Sequence, residues 1–350
     1  MDKNLKNIIE RLATEHTLSL SQYEELILGY TPEASEHLAA LAVAAREKYY
    51  GRTVYVRGLI EISSICKNDC LYCGIRKSNS RCERYRLTHK EILDCCREGY
   101  SLGFRTFVLQ GGEDGYFTDQ VLVPIVENIK SEFPDCALTL SLGERSRESY
   151  AALRIAGADR YLLRHETADR EHYGRLHPKE MSYDNRMRCL HDLSELGYQV
   201  GCGFMVGSPY QTAKTLASDL KFVEEFAPAM CGIGPFIPQS DTPFGKERGG
   251  TLELTLYLLS ILRLIHPNML LPATTALGTI HNKGRELGIL AGANVVMPNL
   301  SPENVRKKYL LYDGKLTDGS EAAERLCELR SRMSDIGYEV VTDRGDAKKR

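Results

Sequence analysis

The chain has 350 residues, 43% hydrophobic and 26% charged, with a formal net charge of −2. That is enough for one barrel domain of roughly 250 residues plus extensions, and the near-neutral balance argues against nucleic acid or an anionic membrane as partner. Eleven scattered cysteines do not make a secreted disulfide framework, and with no apolar signal segment and no run of about 18 apolar residues the expected compartment is the cytoplasm.

Residues 1–50 read as helices. Leu5, Ile8, Ile9 and Leu12 recur at helical spacing, Ser19 or Ser21 can cap a second helix through Leu28, and Thr31-Pro32-Glu33 opens a third. This N-terminal extension is expected to cover one end of the core. From residue 54 short apolar runs alternate with amphipathic stretches. The expected strands are 54–62, 106–110, 137–142, 160–163, 200–205, 231–235, 270–274 and 294–297. Helices are expected at 90–102, 121–133, 147–156, 183–196, 212–226, 252–265 and 285–291. Eight strands alternating with helices predict a (β/α)8 TIM-type barrel over 51–300, with 301–350 a helical segment covering it; a doubly wound open sheet is the competing fold. The repeated Gly-Ala-Asp and Gly-Ala-Asn at 157–159 and 292–294 fit helix-to-strand turns.

Cys66, Cys70 and Cys73 follow the first strand with the spacing C-x3-C-x2-C. Three thiolates in one loop can hold three irons of a 4Fe-4S cluster and leave the fourth open. A zinc site needs a fourth ligand or a second Cys pair, and no second pair is present. Barrel sites lie at the C-terminal ends of strands. Polar segments gather at those ends: Gln110-Gly111-Gly112-Glu113, Ser141 to Glu144, Arg164 to Thr167, and Thr274-Thr275. Arg57 and Arg160 fall inside predicted strands, where a buried guanidinium needs an anionic partner. With Thr139, Ser141, Thr274 and Thr275 they could form an anion pocket; internal pairing with Glu61, Glu113 or Glu166 is the alternative. His165 reads equally as a packed histidine.

The cysteine loop, with Tyr72 just before its last cysteine, resembles that of the radical S-adenosylmethionine (SAM) enzymes. The resemblance implies that SAM chelates the open iron and is cleaved reductively to a 5'-deoxyadenosyl radical. It places Tyr72, Gln110, Gly111, Gly112, Glu113, Ser141, Glu166, Arg186 and Met205 around SAM; for Arg186 alone, a surface helix arginine is the alternative. Segments 108–114, 157–168, 232–243, 272–279 and 292–299 resemble, within that superfamily and near biotin synthase, the FeFe-hydrogenase maturases. This implies an organometallic iron substrate, an Fe(CO)2(CN)-cysteinate complex attacked at its sulfur. Arg57, Thr139, Arg160, Met230, Thr274, Thr275, Met297, Tyr309 and Tyr312 would surround it. A ferredoxin or flavodoxin would supply the electron, and other hydrogenase maturases would be partners. A methylornithine synthase-type mutase and a non-enzymatic iron–sulfur protein are the alternatives. Some maturases carry an accessory cluster near the end of the chain; residues 298–350 hold only Cys327, so none is expected.

Overall fold

The computed structural model of the chain describes residues 1–316 and 323–349. Of the expected C-terminal segment, residues 317–322 and 350 lie outside the described residues. The strands are β1 (Thr53–Val56), β2 (Gly58–Ser63), β3 (Thr106–Gly111), β4 (Ala137–Ser141), β5 (Arg160–Leu162), β6 (Gln199–Cys202), β7 (Met205–Val206), β8 (Met230–Cys231), β9 (Gly234–Pro235), β10 (Val295–Val296) and β11 (Glu339–Val341). Around them stand α1 (Lys3–Glu15), α2 (Leu20–Leu28), α3 (Pro32–Tyr50), α4 (His89–Ser101), α5 (Asp119–Glu132), α6 (Arg147–Ile155), α7 (Arg170–Leu176), α8 (Tyr183–Glu195), α9 (Ala213–Phe226), α10 (Leu252–Ile265), α11 (Thr275–Ile280), α12 (Gly284–Leu290), α13 (Glu303–Arg306) and α14 (Leu326–Asp335).

The sheet β2-β3-β4-β5-β6-β8 is parallel throughout. Single parallel bridges carry it onward, Met230 to Leu270, Pro272 to Val295 and Asn299 to Leu59. The sequence of neighbours thus returns to the strand where it began, and the ring of eight closes through bridges rather than a regular ladder. The expected strand 54–62 is broken at Arg57 because it changes partner there: β1 pairs with β11 and β10, β2 with β3. The expected strands 200–205 and 231–235 are each interrupted by a glycine. A Cβ on Gly203 would lie 2.0 Å from Gly232 O, so the two backbones approach too closely for a side chain. Within 301–350 the structure adds β11, a strand beside β1, to the helices α13 and α14.

Side chains alternate across a strand, and the register sorts them into two faces. Ile60, Ile62, Phe107, Leu109, Leu138, Leu140, Tyr161, Val200 and Cys231 point outward into the main core under the helices. Full burial of each large apolar side chain contributes about 1.5–3 kcal/mol. The inward face is far more polar: Arg57, Glu61, Gln110, Thr139, Ser141, Arg160 and Gln199 share it with Leu59, Val108, Leu162 and Met230. Arg57 Nη1 reaches Met230 Sδ at 2.9 Å. Since β2 and β8 are not neighbours in the ring, that contact crosses the lumen.

The turns at 157–159 and 292–294 do one job twice. Gly157 and Gly292 have positive φ (116° and 104°), and Ala158 and Ala293 are fully buried. Asp159 Oδ2 then accepts the Leu138 N–H at 2.8 Å, and Asn294 Oδ1 accepts that of Leu271 at 2.9 Å. The N-terminal helices α1–α3 each bury one face. Their apolar stripes pack on the outer helical layer, α3 on α10 and α2 on α9, and the Tyr50 hydroxyl at the end of α3 bonds Asn268 O near the barrel floor.

Candidate functional site

The loop after β2 carries Cys66, Cys70 and Cys73, all partly exposed and free. Arg84 holds it in shape: Nη1 donates to Ser64 O (2.6 Å) and Ile75 O (2.8 Å), Nη2 to Arg76 O (2.6 Å) and Asn79 O (3.1 Å). Asp69 ties the other side through the Arg76 Nε at 2.7 Å. Burial pushes all three thiols up, Cys73 to about 12, and Cys70 and Cys73 each feel the neighbouring cysteine charges. By itself the loop therefore holds neutral thiols, and iron would be what makes them thiolates. Among the described residues no three His, Cys, Asp or Glu side chains converge as a single metal ion would require. A cubane asks for less convergence, because each thiolate meets its own iron.

Gly111 and Gly112 run past this loop at the end of β3. A Cβ on Gly112 would lie 2.3 Å from Ile65 O and 2.8 Å from Cys66 Cβ, whereas one on Gly111 would meet nothing nearer than 3.4 Å. The close approach lets the Glu113 N–H point at Cys66 Sγ, 3.4 Å away. The Glu113 carboxylate accepts the Glu144 N–H (3.0 Å) and faces Lys67 Nζ (3.2 Å); it is a brace for the loop. Asp114 is a second brace, bonded by Ser63 Oγ at 2.7 Å and by Arg86 through two nitrogens at 2.6 and 2.9 Å.

Arg186 is buried, so the surface reading fails. Its Nε meets Glu144 Oε1 at 2.6 Å and its Nη1 meets Arg164 O at 2.6 Å. Burial alone would weaken its hold on the proton, but Tyr173 and Glu144 outweigh that and raise its pKa. Glu166 stands in left-handed backbone, φ 65°. Its Oε2 lies 3.2 Å from Arg164 Nη2 without the alignment of a hydrogen bond, and both atoms are buried and unsatisfied. Tyr72 and Met205 share a small apolar cluster with Leu71, Leu176, Phe236 and Phe244. The Tyr72 hydroxyl is 3.1 Å from His177 Nε2, while His177 Nδ1 is 2.9 Å from Tyr173 O. The carbonyl requires a proton on Nδ1, so Nε2 accepts from Tyr72. Burial, aided by the Arg186 charge, lowers the His177 pKa to about 3. His165 is fully buried between Phe204 and Phe222, a packed residue.

The proposed substrate residues divide. Gln110 Nε2 touches the Tyr309 hydroxyl at 3.5 Å, and Thr139 Oγ1 and Thr274 Oγ1 are buried without partners. Tyr309 is buried, and burial pushes the Tyr312 hydroxyl up to about 12. Both come from a segment laid over the barrel mouth: Gly74 N–H bonds Leu311 O (2.9 Å) and Asp313 N–H bonds Pro238 O (3.1 Å). Lys315 extends from it to the buried Glu61. Ser141 and Thr275 are half-buried at the ends of β4 and the start of α11, and Met297 packs beside Met230. Arg160 pairs with neither Glu61, Glu113 nor Glu166. As the first residue of β5 it sits at the barrel floor, where its Nη2 meets Asp346 Oδ1 at 2.6 Å and its Nη1 meets Thr106 Oγ1 at 3.1 Å. Among the described residues Arg57 bonds only Met230 Sδ and, at 3.4 Å, Gly345 O, and its Nε is unsatisfied.

Sequence reasoning missed Arg84, His177 and Lys315, and it set Glu144 at a strand end without giving it a role. Glu144 had a signal, since an arginine needing an acid faces the strand end that carries it. Arg84 had none, because its bonds go to backbone carbonyls that any sequence supplies.

The donor set fits a 4Fe-4S cluster, and the unsatisfied atoms of Arg164 and Glu166 fit a polar ligand beside it. Residues 60–223 match the radical SAM superfamily. The chain is 47% identical over 282 residues to the FeFe hydrogenase maturase subunit HydE of Thermotoga maritima, covering 81% of this chain and 80% of that one. It is 31% identical over 311 residues to 3-methylornithine synthase of Methanosarcina barkeri, covering 88% and 87%. The crystal structure of methylornithine synthase (PylB) matches with a TM-score of 0.81 at 26% identity, over 95% of this chain and 97% of that one.

Proposed function

Because the chain belongs to the radical SAM superfamily, and within it to the HydE family of hydrogenase maturases, we propose that it acts on a small organometallic iron complex during assembly of the FeFe-hydrogenase diiron site. With one 4Fe-4S cluster on Cys66, Cys70 and Cys73, the site would supply the electron for reductive SAM cleavage, and the resulting 5'-deoxyadenosyl radical would attack the cysteine sulfur of an Fe(CO)2(CN)-cysteinate substrate. The protein's part is positioning. Gln110, Gly111 and Gly112 offer backbone oxygens at the loop. Glu166 offers a carboxylate oxygen to hydroxyl or ammonium donors, and Ser141 a hydroxyl. Arg186, fixed by Glu144, presents a guanidinium to a carboxylate. Tyr72 and Met205 give an apolar wall for adenine. The segment over the mouth, with Tyr309 and Tyr312, keeps water from the reacting atoms.

The observation that carries the substrate reading is the lumen itself. Among the described residues Arg57 has no carboxylate within ion-pair reach, and the Thr139 and Thr274 hydroxyls lack partners. An anionic ligand in the lumen would satisfy these groups, with Thr275, Met230 and Met297 around it and Arg160, already paired with Asp346, at the floor beneath. A ferredoxin or flavodoxin in a reducing cytoplasm fits as electron source, and a further maturase as recipient. The test is anaerobic reconstitution followed by SAM cleavage with and without the iron complex. Cleavage should vanish in Cys73→Ala, and the complex should be consumed only by the intact protein. A second reading, mutase action on lysine, is favoured by the fit to PylB; formation of methylornithine from lysine would select it.

A further inference from the structure

Glu166 holds a φ of 65°, a conformation that residues with a side chain avoid. Its own N–H reaches Gly203 O at 3.0 Å, in a parallel bridge with Phe204. The Gly203 N–H in turn reaches His165 Nδ1 at 3.3 Å. That makes Nδ1 the acceptor and puts the ring proton on Nε2. Nε2 faces Asp219 Oδ1 at 3.5 Å, an electrostatic contact too long and poorly aligned for a hydrogen bond. The same oxygen accepts the Ala168 N–H at 2.5 Å. One carboxylate therefore ties the chain on both sides of Glu166, through a ring at 165 and a backbone amide at 168.

Asp219 is fully buried on the inner face of α9, among Leu216, Leu220 and Val223. A carboxylate on an apolar stripe is costly and needs a purpose. Nothing in the fold of α9 requires it, and among the described residues its one hydrogen bond and its contact with His165 both run to the 165–168 turn.

We propose that Asp219 is a positioning residue for SAM: it holds Glu166 in the left-handed conformation that aims its unsatisfied carboxylate oxygen at the ligand. This rests on the reading of Glu166 as a SAM contact. Asp219 itself touches no ligand and acts only through the turn.

The test is SAM affinity, measured by anaerobic calorimetry on protein with full iron content. Glu166→Ala should weaken binding. Asp219→Leu should weaken it about tenfold with iron content unchanged, and Asp219→Asn should recover most of the loss, because the amide oxygen still accepts from Ala168. In a Glu166→Ala background, Asp219→Leu should add less than twofold, since the residue it acts through has gone. Equal losses in both backgrounds would mean a general packing role and overturn the inference, as would wild-type affinity in Asp219→Leu. Undiminished affinity in Glu166→Ala would remove the reading of Glu166 and the inference with it. Asp219→Ala in the same two backgrounds decides the matter if the leucine protein does not fold.

Discussion

Gly112→Ala and Gly111→Ala should have opposite outcomes although the residues are adjacent. The added Cβ at 112 would sit 2.3 Å from Ile65 O and 2.8 Å from both Ile65 C and Cys66 Cβ. Ordinary contact begins near 3.4 Å, so the cysteine loop would have to recede by about 3.4 − 2.3 = 1.1 Å. The obstacle is backbone, and a rotamer change cannot relieve it. Arg84 and Asp69 anchor the loop from its far side, so the movement strains those bonds. An overpacking cost of about 1–3 kcal/mol is expected, enough to displace Cys66 and leave the barrel folded. At 111 the nearest atoms would be 3.4 Å away, which costs little. The assay is iron per chain after anaerobic reconstitution, with a denaturant melt of each protein. Gly112→Ala should fall well below half of about four irons, and Gly111→Ala should load like the parent. Full loading of Gly112→Ala would refute the claim that this glycine sets the position of the cluster loop.

Three further outcomes are expected. Thr139→Val and Thr274→Val each delete a buried hydroxyl without a partner, so urea midpoints should hold or rise, by about 1 kcal/mol at most, while turnover of the iron complex falls and uncoupled SAM cleavage persists. Asp346→Asn removes the countercharge of Arg160, whose side chain is 3% exposed. Because Asp346 itself is 40% exposed, the expected loss is about 1–3 kcal/mol in a urea melt, below that of a fully buried pair. His177 keeps a pKa near 3 in the fold against 6.5 as its ordinary value. Between those values the unfolded chain binds a proton that the folded chain refuses, so stability is full above pH 6.5 and falls as pH drops towards 3, by up to about 1.4 kcal/mol per pH unit. His177→Gln should flatten that slope, and an unchanged slope would exclude His177 as its source.

The cluster loop and the strand ends around it were legible in the sequence because their signals are local. A spacing of three cysteines, a glycine pair after a strand and a Gly-Ala-Asp turn each mean one thing within a few residues. Only resemblance argued against a surface place for Arg186, since its helix gives no sign that the residue turns inward to Glu144. Arg160 shows the other limit. Its need for an anion could be read from a charged residue in a strand, but its partner lies 186 residues away, and carboxylates nearer in sequence competed for the role. Helix α11 was missed because a six-residue helix directly after a strand end has too few turns to show a period. The break at Arg57 was invisible for a related reason: it marks a change of neighbour, and the residue itself fits an unbroken strand.

The position of β1 sets an order of assembly. Its partners are β10 and β11, so Tyr55 waits for Val295 and Thr53 for Glu339. During synthesis that edge stays unpaired until nearly the whole chain has emerged, a period in which an exposed strand is open to wrong partners. Much of the bracing of the cysteine loop does not wait, although Gly74 N–H finds its acceptor only at Leu311 O. Ser63, Asp69, Arg84, Arg86 and Asp114, which shape it, all fall within about fifty residues and bond among themselves or to the loop. That bracing is thus short-range and the lumen long-range. The site that receives metal can take shape while the chamber that confines the reaction is still open at the floor.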